Sequence, residues 1–188
     1  MKKIGITGSL ASGKTSASRI LSKGRGPLFS ADTVVKNLYK MKSFKRRVSK
    51  ILKIKNDNNI KKLIKEKILK NKSEIKKIEK LIHPLVRKEM KKFTKKHKNK
   101  KLLFFEIPLL IESRLMNNFD IIFFIKAKKK IRLNRYLIKG GQKRLFYLLN
   151  NRQLNQEKKI KLCDHVVVNE KNLNILKKKL LNILIKYE

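Results

Sequence analysis

The chain has 188 residues and a mass of 22.2 kDa, enough for one domain with a small inserted lobe, burying roughly 70% of the unfolded surface. Its single cysteine, Cys163, excludes a disulfide framework and any multi-cysteine zinc or iron–sulfur site. Fifty-two Lys and Arg against 13 Asp and Glu leave a net charge of +39, which invites contact with polyanions. The lysines are mixed with Ile, Leu and Asn along the whole chain rather than gathered in a tail, so the excess reads first as compositional bias. Dense apolar runs at residues 4–7, 102–105, 121–125 and 166–168 argue against disorder. No run approaches the roughly 18 apolar residues of a membrane span, and the one after Lys2 and Lys3 is too short for a signal peptide. The expectation is a cytoplasmic protein with no membrane contact.

In chain order, residues 4–7 read as a short buried strand, followed by a glycine-bearing loop and a helix to about Lys23. Gly24-Arg25-Gly26-Pro27 breaks the chain, and residues 28–30 form a second strand ending at Asp32. From Thr33 to Lys98 apolar residues recur every three or four positions, as at Ile60, Leu63, Ile64 and Ile68, which predicts a helical lobe punctuated at residues 56–59 and at His83-Pro84. Residues 101–105 and 120–125 read as strands, with Pro108 ending the first. A basic helix from about Lys128 to Ile138 is broken by Gly140-Gly141, and another runs to about Leu162. Residues 165–168 form a fifth strand and residues 172–186 a last helix. Strands separated by helices imply a parallel α/β sheet covered on both faces, consistent with continuously apolar strands.

Gly8-Ser9-Leu10-Ala11-Ser12-Gly13-Lys14-Thr15 matches G-x-x-x-x-G-K-[ST] between a strand and a helix. Such a loop turns its backbone N–H groups around phosphate oxygens at the positive end of a helix. Lys14 reaches the outer phosphates, and the Thr15 hydroxyl is a ligand for Mg²⁺. Asp32 follows the second strand, where a carboxylate either serves the phosphate site or caps the next helix. Glu106, at a strand end, is a candidate to hold a metal-bound water. Glu112 is expected to order a loop, Cys163 to be a small core residue, and His97 to be solvated.

Beyond the loop, the order of short motifs resembles the dephospho-CoA kinase family over nearly the full length. Ala31-Asp32 resembles its Asp-Ala-Asp motif, Ile82-His83-Pro84-Leu85-Val86 its His-Pro motif, and Ile107-Pro108-Leu109-Leu110-Ile111-Glu112 its Pro-Leu-Leu-x-Glu motif. Arg152-Gln153 and Asp164-His165-Val166-Val167-Val168-Asn169 resemble the ends of the lid helix and the fifth strand. The resemblance implies a three-layer P-loop kinase fold with a five-stranded parallel sheet. Its core would take about residues 1–32, 99–138 and 163–188, the helical acceptor-binding lobe 33–98, and the lid 139–162. It implies transfer of the γ-phosphoryl group of ATP to the ribose 3′-hydroxyl of dephospho-CoA, with Mg²⁺. Asp32 would be general base, Lys14 and Arg135 would stabilise phosphates, and Arg152 and Asn169 would join the loop around ATP. Asp32, His83, Pro108 and Leu109 would meet the acceptor. The sequence departs from the family at Ser9 and Ala11, where glycine is usual, at Ser30 and Val168, where Asp is usual, at Glu106, where Asp is common, and at Lys139, which stands for a lid arginine.

Two other readings stay open from the sequence. One is a different small-molecule kinase acting on a nucleotide or nucleoside. The other is a basic RNA-binding protein with a vestigial phosphate loop. The expected partners are ATP and dephospho-CoA, with no specific nucleic acid, non-specific RNA contact left open, and a monomeric chain.

Overall fold

A computed structural model describes residues 1–55, 59–71 and 73–188. Asn56, Asp57 and Asn58, part of the expected punctuation, lie outside the described residues. The chain divides into two compact units, residues 1–30 with 94–188, and residues 31–93.

The first unit is built on five parallel strands, β1 (Lys2–Gly8), β2 (Leu28–Ser30), β3 (Leu102–Glu106), β4 (Ile121–Lys126) and β5 (His165–Val168), in the spatial order β2-β3-β1-β4-β5. Ile4 of β1 sits between Phe104 of β3 and Ile121 of β4. From β1 the chain leaves toward β2, and from β3 it crosses to β4. The crevice at the carboxyl ends of β1 and β3 is therefore the switch point where open α/β sheets bind ligands.

One sheet face presents Ile4, Ile6, Phe104, Phe123, Ile125 and Val167 to Ala17 and Leu21 of α1 (Lys14–Ser22) and to Leu176, Leu180 and Leu184 of α9 (Leu173–Leu184). Helix α9 starts where Asn172 Oδ1 accepts the Ile175 N–H at 3.0 Å, a side-chain cap. On the sheet's other side, Phe105 and Phe119 meet edge to face at 5.3 Å. Two covered faces explain the unbroken apolar runs of β3 and β4. The expectation of full coverage fails at β5: Val166 and Val168 are exposed, both pointing to the face opposite the buried Val167, which is left open at this edge.

Between β4 and β5 lie α6 (Lys129–Ile138), α7 (Lys143–Arg152) and α8 (Gln156–Ile160). The single helix expected to Leu162 is two. Gln153 turns out of α7 at ψ 148°, and Asn155 Oδ1 caps α8 by accepting the Glu157 N–H at 2.8 Å.

The second unit contains α2 (Ala31–Leu38), α3 (Lys42–Leu52), α4 (Ile60–Lys70) and most of α5 (Glu74–Lys96). Phe44, Val48 and Leu52, four residues apart, face one way and pack with Ile60, Ile64, Ile78 and Leu81. Tyr39 meets Phe44 edge to face at 5.1 Å, and burial raises its phenol pKa. His83-Pro84 does not break the chain as expected: α5 runs through Pro84, which lies on its exposed side. Among the described residues, no helix is long and apolar enough to cross a membrane.

Candidate active site

β1 ends at Gly8 and α1 begins at Lys14, so the five residues of the match between them, 9–13, form the loop at the switch point. Gly8 has φ 153°, and a Cβ there would stand 2.5 Å from the Ile125 carbonyl oxygen and 2.8 Å from Ser12 Oγ. Gly13 precedes α1 in the left-handed region at φ 96°, and a Cβ would collide with the Asn169 amide. Between them Ser12 N–H donates to Ser9 O at 3.1 Å, closing a tight turn whose third residue, Ala11, has φ 58°.

The first turn of α1 holds no acidic residue, and Gly13 offers no side-chain cap. Its N–H groups and the helix dipole therefore present uncompensated positive charge. Lys14 is buried and its ammonium donates to Gly8 O at 3.2 Å and Ser9 O at 2.9 Å, curled over its own loop. Ser12 Oγ is buried without a hydrogen-bond partner, a donor left for a ligand oxygen.

Thr15 Oγ1 donates to Glu106 Oε1 at 2.6 Å, and Ser18 Oγ donates to Glu106 Oε2 at 3.3 Å. Glu106 is buried at the end of β3, level with Ile6 of β1. A hydroxyl and a carboxylate at a phosphate loop are hard oxygen donors suited to Mg²⁺, which keeps several waters and takes few protein ligands. No group of three or more His, Cys, Asp or Glu that could hold a metal occurs among the described residues, and a closed protein cage is not what Mg²⁺ requires.

Arg135 Nη1 donates to Asn169 O at 3.1 Å and Ser12 O at 3.4 Å, and Asn169 Nδ2 donates to Ser12 O at 2.8 Å. Thr7 Oγ1 donates to Pro108 O at 3.2 Å, fixing the turn that carries Pro108 and Leu109, both half-buried. Arg152 closes α7 and is half-buried. The expected residues Gly8 to Thr15, Arg135, Asn169 and Pro108 are therefore joined by contacts in the first unit. Asp32 and His83 belong to the second unit. Asp32 is the second residue of α2 and exposed, inside the first turn rather than before it, so the simple cap reading fails. His83 is half-buried in α5.

Arg132 and Gln156 were given no role by the motifs, and neither was Gln153 beyond its place at the lid helix end. Arg132, counted only as part of the basic helix from about Lys128 to Ile138, is buried. It donates to Ala127 O at 3.1 Å, Leu10 O at 3.2 Å and Asn150 Oδ1 at 2.8 Å, and burial lowers its pKa. Gln153 Oε1 accepts the Leu10 N–H at 3.1 Å, and Gln156 Oε1 accepts the Ser9 hydroxyl at 3.3 Å. Glu112 orders its surroundings as expected: it accepts the Leu154 N–H at 3.2 Å and lies 2.5 Å from the fully buried Lys159 ammonium. Cys163 is half-buried, and burial followed by the Asp164 charge pushes its thiol up to about 12.

The family model described as dephospho-CoA kinase matches residues 2–174. The dephospho-CoA kinase of Fusobacterium nucleatum is 34% identical over 182 residues, covering 94% of this chain and 93% of that protein. The dephospho-CoA kinase of Rickettsia prowazekii is 36% identical over 165 residues, covering 87% of this chain and 86% of that one. The solved dephospho-CoA kinase of Campylobacter jejuni shares the fold, with a TM-score of 0.64 at 21% identity over 100% of this chain and 97% of that one.

Proposed function

The chain belongs to the dephospho-CoA kinase family, and from that premise we propose that it moves the γ-phosphoryl group of ATP to the ribose 3′-hydroxyl of dephospho-CoA, leaving ADP and coenzyme A. The observation that carries the reading is the phosphate loop itself. Lys14, the unpartnered Ser12 hydroxyl and the bare α1 N-terminus converge where triphosphate oxygens would enter. On binding, the Lys14 ammonium exchanges its two loop carbonyls for phosphate oxygens and offsets charge that grows in the transition state. Arg135, held by two carbonyls, and Asn169 fix the loop's far side. The Thr15 hydroxyl, with Glu106 accepting from it or from a bound water, would hold Mg²⁺, which would supply charge neutralisation to the triphosphate.

The acceptor role is assigned to the helical unit, and the segment from Lys139 to Leu162 serves as lid. Asp32 takes the proton of the attacking hydroxyl. Asp32→Asn keeps ATP binding and loses most turnover; near-normal turnover would remove its catalytic role. The deciding experiment supplies Mg²⁺–ATP with dephospho-CoA and, separately, a panel of nucleosides and nucleotides, and reads products by mass. Coenzyme A formed by the intact protein and not by Lys14→Ala supports the proposal. Phosphorylation of another acceptor alone would discard the substrate.

A further inference from the structure

The phosphate loop carries a conformational cost that its own residues do not explain. Ala11 sits at φ 58°, third in the turn closed by Ser12 N–H and Ser9 O, where glycine is the usual occupant. A left-handed alanine is disfavoured by about ten-fold relative to glycine. Such a residue persists only where its surroundings dictate it.

Those surroundings are specific. The peptide on one side of Leu10 gives its N–H to Gln153 Oε1 at 3.1 Å, and the peptide joining Leu10 to Ala11 gives its carbonyl to Arg132 Nη1 at 3.2 Å. Arg132 is itself fixed by Ala127 O, by Asn150 Oδ1 and by the Phe146 ring, 5.8 Å from the guanidinium carbon. Gln153 is aimed by the end of α7, where the chain turns extended. We infer that Gln153 and Arg132 are positioning residues that clamp both peptides of Leu10 and so hold Ala11 in the left-handed turn the phosphate loop needs. Gln153 and Arg132 thus set the shape of the nucleotide loop from the end of α7 and from α6. The inference rests on the nucleotide-binding reading above for its consequence, not for its geometry.

The test uses Gln153→Ala, Ala11→Gly and the double variant, each checked for an unchanged melting profile; Arg132 is left intact because it is buried. Two quantities are read: hydrogen exchange of the Ser12 amide in ligand-free protein, which reports closure of the turn, and the dissociation constant for Mg²⁺–ATP. Gln153→Ala is expected to speed Ser12 exchange and weaken ATP binding about five-fold, the scale of one hydrogen bond. In the Ala11→Gly background, where the turn needs no clamp, removing the Gln153 side chain changes both by less than about two-fold. Equal effects in both backgrounds, or no effect in the first, overturn the inference. If the unaltered protein binds no ATP, the kinase reading falls, while the exchange ratio still decides the clamp.

Discussion

Removing the Lys159 ammonium should unbalance a buried charge rather than merely trim a side chain. Lys159 is 0% exposed and its Nζ stands 2.5 Å from Glu112 Oε1, whose side chain is 16% exposed. Neither Lys159 Nζ nor Glu112 Oε2 makes an aligned hydrogen bond, so the contact is one of charge. At an effective dielectric of about 20 the attraction at that distance is roughly 6–7 kcal/mol before desolvation of both ions is subtracted. Against apolar replacements the pair is then worth little, but breaking it typically costs about 3–5 kcal/mol. Here Glu112 retains some water and the Leu154 N–H, so about 2–3 kcal/mol is the better figure for Lys159→Met. For a chain of this size that lowers the melting temperature by roughly 5–10 °C. Glu112→Gln keeps an acceptor for Leu154 and removes the stranded charge. The double variant should therefore recover to within about 1 kcal/mol of the parent, while Glu112→Gln alone strands the fully buried Lys159 cation, so the coupling in the cycle exceeds about 2 kcal/mol. Calorimetric melts at neutral pH and moderate salt supply all four values. A Lys159→Met protein melting within about 2 °C of the parent, or a double variant as weak as the single, would refute the charge argument.

Glu106→Gln keeps the shape of the group that meets Thr15 and Ser18 but not its charge; the fold should survive, while the Mg²⁺ needed for half-maximal phosphoryl transfer rises several-fold, read by metal titration. Gly8→Ala drives a Cβ into the Ile125 backbone at φ 153°, so loss of both melting temperature (by roughly 5 °C or more) and ATP affinity is expected; a parent-like melt would show that β1 and β4 yield more readily than the packing implies. With its thiol pushed up to about 12, Cys163 should react with iodoacetamide at pH 8 about a hundred-fold or more slower than a free thiol. The folded pKa lies above the unfolded value of 9.0, so the Cys163 contribution to stability is full below pH 9 and is lost as pH rises toward 12, which melts across that range would register.

The phosphate loop, the sheet and the helical unit were legible because each rests on local signals: glycine spacing, apolar runs and three-to-four-residue periodicity. Helix α5 continuing through Pro84 and the break at Gln153 were not, for opposite reasons. At Pro84 a strong local signal is overridden by a long helix whose buried stripe, Ile75, Ile78, Leu81, Val86 and Met90, runs past it. At Gln153 the local signal is faint, a capping Asn155 two residues on, and the chain leaves α7 where Gln153 reaches Leu10, far away in sequence. Asp32 was read as a cap or a functional acid, and its place inside the first turn of α2 removes only the first alternative.

The charge of the chain also divides by burial. Of 52 basic residues, Lys14, Arg132 and Lys159 are the ones buried among the described residues. Lys14 lies on the phosphate loop's carbonyls, Arg132 on Leu10, and Lys159 on the carboxylate that holds Leu154 just beyond Gln153. Burying a cation is costly unless specific acceptors offset it, so these three positions are constrained in a way the solvated lysines are not. Three of the scarce acids hold backbone donors: Asp120 accepts the Lys3 N–H, Asp164 the Ile122 N–H and Glu170 the Lys128 N–H, each at an end of β1, β4 or α6. Drift toward lysine could fill exposed positions at little cost, whereas exchanging an acid at these junctions for lysine removes the acceptor of a backbone N–H. A count of +39 averages over both kinds of position and hides the few charges that the fold has taken out of water.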